Sequence, residues 1–196
     1  MKYLYYKVFK PYGMLSQFTK EGEHDTLASL FEFQKDVYPV GRLDHDTEGL
    51  LLLTNDKSVN MRLLSPDRKH SRTYWVQVEG LPGEAALNAL RKGVTINLKG
   101  TLHQTQPAGV RGMSAPRIPE RIPPVNYVKH PETSWLELTI TEGKNRQVRK
   151  MMAKVGHPAL RLIRYGIERL NIDKMVPGDI VEVPKSEFYQ GLHLKG

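Results

Sequence analysis

Four consecutive leucines at residues 50–53, entered through Gly49 and left through Thr54, Asn55 and Asp56, leave few folds open. The run is too short for a buried helix and has turn-forming residues at both ends, so it reads as a buried strand. Upstream, residues 37–40 are extended and run into Gly41. The block GRLDHDTEGLLLLTND, residues 41–56, therefore holds a short polar segment between two anchored strands. That segment presents Asp44, a carboxylate on a tight loop, where positioned chemical groups are usually found. Asp44 is the candidate reactive residue. A metal site at Asp44, His45 and Asp46 is not expected: consecutive residues do not converge on one ion, and none of the seven histidines has zinc-type spacing. Asp46 and Thr47 read as residues that brace the loop through hydrogen bonds.

At 196 residues the chain is long enough for a real core. It reads as one domain spanning 1–196, built of two α+β halves at about 1–67 and 68–196. With no cysteine, disulfides, thiolate metal sites and cysteine nucleophiles are excluded. No apolar run approaches the roughly 18 residues of a membrane helix, so no membrane partner is expected. The first residues alternate like a strand and offer no signal-peptide cleavage pattern. The net charge of +8 is clustered, at Arg62, Arg68, Lys69, His70 and Arg72, at Arg111, Arg117 and Arg121, and at Lys144, Arg146, Arg149, Lys150 and Lys154. Such clusters suit a polyanion, and nucleic acid is the expected partner.

Pattern and punctuation predict strands at 3–9, 37–40, 50–54, 72–78, 94–97, 101–106, 134–141, 160–164 and 180–183. Helices are predicted at 26–33, 58–64, 84–91 and 145–155, with Asp56 as a turn or helix N-terminal charge and Pro66 ending the second helix. Residues 107–124, with five prolines, two glycines and three arginines, read as a loop. It is either a surface excursion or an RNA-contacting loop. Strands dominate without a regular βαβ repeat, which implies an α+β fold with a mostly antiparallel sheet.

In the helix of GKNRQVRKMMAKVG, Val148, Met151, Met152 and Val155 fall at i, i+3, i+4 and i+7, an apolar stripe. Arg146, Lys150 and Lys154 lie opposite. Arg149 lies about 100° from Val148, on the shoulder of the stripe, where a guanidinium can reach out while its stem stays packed. A structural salt bridge is its alternative role.

GRLDxxTxGLLLLTND, an RTYxVxVxG strand and EGKNRQVRKM, in this order and spacing, resemble the ribosomal-RNA pseudouridine synthases of the RsuA/RluB/RluE/RluF type. KPYG at residues 10–13 and LRLIRYG at 160–166 match as well, and the resemblance covers roughly residues 5–185. KPYG begins at residue 10, which leaves no room for the family's N-terminal S4 module. The match is nearest to the RluE type, which lacks that module and acts on large-subunit (23S) RNA. The resemblance implies a bent mixed sheet with peripheral helices and a central catalytic cleft. It makes Asp44 the catalytic aspartate, Tyr74 the ring that stacks on the target base and Arg149 the basic partner of Asp44. Leu162 falls in the block that lines the pocket. Arg42, Lys10, Arg72, Lys144, Arg146, Lys150 and Arg164 are the candidate RNA contacts, Lys10 being either structural or phosphate-facing. Arg72 stands where the family commonly has lysine, which keeps the charge.

Converting uridine to pseudouridine breaks the C1′–N1 bond and remakes it to C5. Nothing is oxidised or reduced and no group comes from outside, so no cofactor is expected. A carboxylate is required that attacks C1′, attacks C6 or removes the 2′ proton. A neighbouring arginine would keep Asp44 ionised; removing it from a well-buried pair would cost about 3–5 kcal/mol. The uridine must also be flipped out, and stacking on Tyr74 would return about 1–3 kcal/mol. The alternative for Tyr74 is a cross-strand aromatic on a sheet face; its neighbour Trp75 is assigned to the core. Ribosomal RNA, free or in an assembly intermediate, a cytoplasmic location and a monomer complete the expectation. The competing reading is a non-catalytic RNA-binding or ribosome-assembly protein on the same scaffold.

Overall fold

The computed structural model describes residues 2–65 and 69–195, so Pro66 and Arg68 lie outside the described residues. The chain forms two compact units, residues 1–70 with 164–196, and residues 71–163. The division expected at 67/68 falls at 70/71, and the chain returns to the first unit at Arg164.

In the first unit β1 (Tyr5–Lys10), β3 (Glu48–Thr54) and β11 (Ile180–Glu182) pair antiparallel, with β1 in the middle. β3 is fully buried along its length, as the leucine run requires. Leu51 and Leu53 share a face with their partners Val8 and Tyr6, packed with Met14, Leu27, Val37 and Leu43. Leu50 and Leu52 turn to the other face, where Tyr5 meets Phe188 of α4 (Lys185–Gly191) at a ring-centroid distance of 4.8 Å. Four leucines at 0% exposure contribute about 1.5–3 kcal/mol each. β2 (Tyr38–Pro39) pairs with β3. α1 (Lys57–Leu64) starts at Asp56, whose carboxylate accepts the Ser58 N–H at 3.1 Å, the N-terminal role expected of it. Tyr5 and Tyr189 also donate to Asp56, so its charge is met inside the core.

In the second unit β4 (Arg72–Glu79) pairs antiparallel with β8 (Thr133–Ile140), and β7 (Gly109–Met113) covers the far edge of β8. α2 (Glu84–Lys92) and α3 (Gln147–Lys154) complete the core with β4, β7 and β8. β5 (Thr95–Leu98) and β6 (Thr101–Gln104) form the expected hairpin through Lys99 and Gly100. β9 (Ala159–Ile167) begins in the second unit and ends in the first, where β10 (Leu170–Asn171) pairs back on it.

Four sequence expectations change. Residues 109–113 are a strand, not loop: within Gly-Val-Arg-Gly-Met, Val110 alone is buried, so an edge strand carries almost no alternation. The helix expected at 26–33 is a single 3₁₀ turn, Leu27–Ser29. α4 was not expected, being only seven residues long. Trp75 is half-buried on the outer face of β4, its indole N–H donating to Glu137 at 3.4 Å; the core face belongs to Tyr74, Val76 and Val78.

Candidate active site

The Asp44 loop is held by backbone clamps on both sides of the aspartate. On one side the Leu43 N–H donates to Ser16 Oγ at 3.1 Å, the Ser16 hydroxyl donates back to the Leu43 carbonyl at 2.9 Å, and the Leu43 side chain is buried. On the other, the His45 carbonyl accepts from Gly13 N–H at 2.8 Å and from Lys10 Nζ at 3.4 Å. The Thr47 N–H closes the turn on the Asp44 carbonyl at 3.0 Å. The Asp44 side chain itself is exposed. KPYG and the aspartate loop thus form one structure: the lysine and glycine of the first motif fix the backbone of the second.

Lys10 is fully buried, and its ammonium is spent on the carbonyls of Pro11, Met14 and His45. This placement suits the structural one of its two expected roles. Burial pushes its pKa down to about 7, against the opposing pull of Glu48, Asp46 and Asp44. Arg164 is internal as well. It is only 5% exposed, and its Nε donates to the Leu50 carbonyl at 2.8 Å, where it braces β3 rather than lying on the surface. Gly49 explains why the motif turns at a glycine: its φ is +103°, and a Cβ there would stand 2.3 Å from the Arg164 carbonyl oxygen. Arg42 is exposed, 3.5 Å from Gln17 Oε1.

The second unit supplies the other expected residues. Tyr74 faces inward from β4 opposite Leu138, is 8% exposed, and shares a cluster with Leu162 and the Val148, Met151 and Met152 stripe of α3. Arg149 is half-buried on the helix shoulder, as the wheel predicts, and one guanidinium nitrogen donates to the Ala159 carbonyl at 3.0 Å. Lys144 and Arg146 are exposed, and Arg72 and Lys150 half-buried. Arg72 points at the turn before α3: its guanidinium carbon lies 3.9 Å from where a Cβ would stand at Gly143.

A group missed by the sequence reading organises that turn. Glu142 Oε1 accepts the Gln106 N–H at 2.8 Å and the Gln147 side-chain N–H at 2.6 Å, while Oε2 meets His103 Nε2 at 3.0 Å. Gln147 in turn accepts the Lys144 N–H at 2.9 Å. Burial would raise the Glu142 carboxyl, but the hydrogen bonds from Gln106, His103 and Gln147 outweigh it and hold it below the ordinary carboxylate range. These contacts brace a turn in which Arg146 sits left-handed at φ +51°, so that α3 starts at Gln147 rather than 145. The signal was a glutamate directly before Gly143, one residue past the alternating strand predicted at 134–141.

Residues 5–154 match the family model described as RNA pseudouridylate synthase. The chain is 51% identical over 171 residues to the ribosomal large subunit pseudouridine synthase E of Xanthomonas axonopodis pv. citri, covering 86% of this chain and 87% of that protein. It is 47% identical over 174 residues to the protein of the same name from Vibrio parahaemolyticus, covering 89% and 71%. A crystal structure of a pseudouridylate synthase superposes with a TM-score of 0.77 at 26% identity, over 97% of this chain and 74% of that one.

Proposed function

The chain belongs to the RNA pseudouridylate synthase family, and on that premise we propose that it isomerises a uridine of large-subunit (23S) ribosomal RNA to pseudouridine, with Asp44 as the essential carboxylate. The observation that carries the assignment of the residue is the double clamp on its loop. Ser16 on Leu43, and Gly13 with Lys10 on His45, fix the backbone on both sides of a solvent-exposed aspartate. Preorganised backbone with an exposed reactive group is what positioning catalysis requires.

The reaction is internally balanced. The bond from C1′ to N1 breaks, the uracil ring turns, C5 bonds to C1′, and the C5 proton is lost while N1 gains one. Asp44 assists by attack at C1′ or C6 or by taking the 2′ proton. Tyr74 is assigned to stack on the flipped base, Arg149 to act as the basic partner in the reaction, and Leu162 to line the pocket. The exposed or half-buried Arg42, Arg72, Lys144, Arg146 and Lys150 are assigned to phosphates. The protein acts as a monomer in the cytoplasm, where large subunits are built. Among the described residues no helix is long and apolar enough to cross a membrane.

The test is pseudouridine mapping by carbodiimide adduct and primer extension on ribosomal RNA treated with wild type or with Asp44→Asn. A stop at one uridine with wild type alone is expected, with RNA affinity retained by the variant. A stop with both proteins would mean that another carboxylate does the chemistry; tight binding without a stop from either would favour the non-catalytic reading.

A further inference from the structure

Two histidine rings meet at the aspartate loop, and none of the assigned roles uses them. His45 follows Asp44 in the chain, and its ring centroid stands 5.7 Å from that of His24, with the planes tilted by 46°. Both side chains are exposed. Residues 13–17 hold the pair together, tied to the aspartate loop on one side and to the turn at 21–26 on the other. Toward the loop, the Gly13 N–H donates to the His45 carbonyl at 2.8 Å, and Ser16 exchanges hydrogen bonds with Leu43. Toward the turn, the Leu15 N–H donates to the Asp25 carbonyl at 2.8 Å, and Gln17 Nε2 to Glu21 Oε2 at 3.1 Å. Each ring thus stands on backbone that is clamped at its own residue or the next.

Charge and spacing select the ligand. The segments that carry the rings, 21–26 and 43–47, hold Glu21, Glu23, Asp25, Asp44 and Asp46, and neither lysine nor arginine. Three cations adjoin them. Lys10 is buried with its ammonium on carbonyls, Lys20 is exposed, and Arg42 stands 3.5 Å from Gln17 Oε1. Five carboxylates against three cations offer a phosphate little attraction, whereas the face of an uncharged base is indifferent to them. Imidazole rings stack on the unpaired bases of RNA as other aromatic side chains do. A uridine flipped out of its stack leaves the nucleotide beside it without a stacking partner. Consecutive residues stand about 3.8 Å apart, and stacked nucleotides of one strand about 3.4 Å apart. The residue after the aspartate is therefore one nucleotide's step from the target.

Resting on the reading that the chain isomerises a uridine of ribosomal RNA, we propose that His45, braced by His24, is the platform on which the unpaired base next to the target uridine stacks. The contact adds a flanking base to what the site recognises, and so helps select which uridine is modified. The tilt between the rings leaves one face for the base, on His45, with His24 against its edge.

The test uses the full chain and large-subunit ribosomal RNA, with affinity read by filter binding and turnover by carbodiimide mapping. His45→Ala leaves the clamped carbonyl in place; it should weaken binding and raise KM about tenfold with kcat nearly unchanged. His24→Ala should act in the same direction and less strongly. His45→Phe keeps a stacking face and should restore affinity, whereas His45→Lys should not. Removing the base from one nucleotide beside the modified uridine should weaken wild type by a similar factor and make His45→Ala cost nothing further. Unchanged affinity and KM in His45→Ala would overturn the proposal, as would a cost that is the same with and without each flanking base. Rescue by lysine but not by phenylalanine would also overturn it, by making the contact one to phosphate. Wild type that binds RNA yet forms no pseudouridine would sink the functional reading instead. Affinity lost in His45→Ala and regained in His45→Phe would then still support a stacking platform, and its absence would overturn that too.

Discussion

Single residues of the first unit carry consequences that their type alone would not suggest. Gly49 sits where a Cβ would enter the backbone of Arg164 at 2.3 Å, with a φ of +103° that other residues rarely adopt. Gly49→Ala should destabilise by about 3 kcal/mol or more, since both the clash and the dihedral oppose it; a urea titration would measure the loss. Lys10 titrates at about 7 in the folded state and near 10.5 when free. Between those values the unfolded chain holds a proton that the folded one releases, so stability rises with pH across the window, and below about 7 the penalty is fully present. The melting temperature should therefore climb from pH 7 to pH 9.5, and Lys10→Met should flatten that climb. Gly41, Asp44 and Gly49 were legible as a loop between strands because turn residues and a leucine run punctuate them. That Lys10 and Arg164 are internal was not. A basic residue declares its charge in a sequence, but the carbonyls that satisfy it come from segments remote along the chain, as Leu50 does for Arg164.

At the level of elements, α3 is the part in which sequence and structure agree most closely. Val148, Met151 and Met152 of its apolar stripe are buried, Val155 just past its end is partly so, and Arg149 stands on the shoulder, because a helix face depends on spacing within one segment. Its first turn is another matter. The anchor, Glu142, is held by His103 and Gln106 from the β6 region, which no local pattern can announce. Glu142→Gln removes the charge from three hydrogen bonds and should cost about 1–3 kcal/mol in denaturant unfolding. Turnover should fall further than stability alone accounts for, because Arg149 rides on the helix so anchored. Restoration by Glu142→Asp would argue against that anchoring role, since the shorter side chain cannot span the same partners. β7 escaped detection for the opposite reason: it borrows its order from β8, not from its own composition.

For the molecule as a whole, the +8 charge is unevenly spread, and that unevenness predicts its binding behaviour. Affinity for RNA should fall steeply and linearly on a log–log plot against salt. Lys144→Gln with Arg146→Gln should reduce the slope by about 0.7–0.9 per lost phosphate contact while leaving the modified position unchanged. Filter binding from low to moderate salt would measure it. Chain order adds a further consequence. β1 is made long before β11, one of its two neighbours, so Tyr6 must find Glu182 far along the polypeptide. The second unit, contiguous from Ser71 to Ile163, has all its own strands up to β8 in hand well before then. On a translating ribosome the two units would mature out of register, the inner one first. The clamp around Asp44 would rest on a sheet with one open margin until β11 had left the exit tunnel.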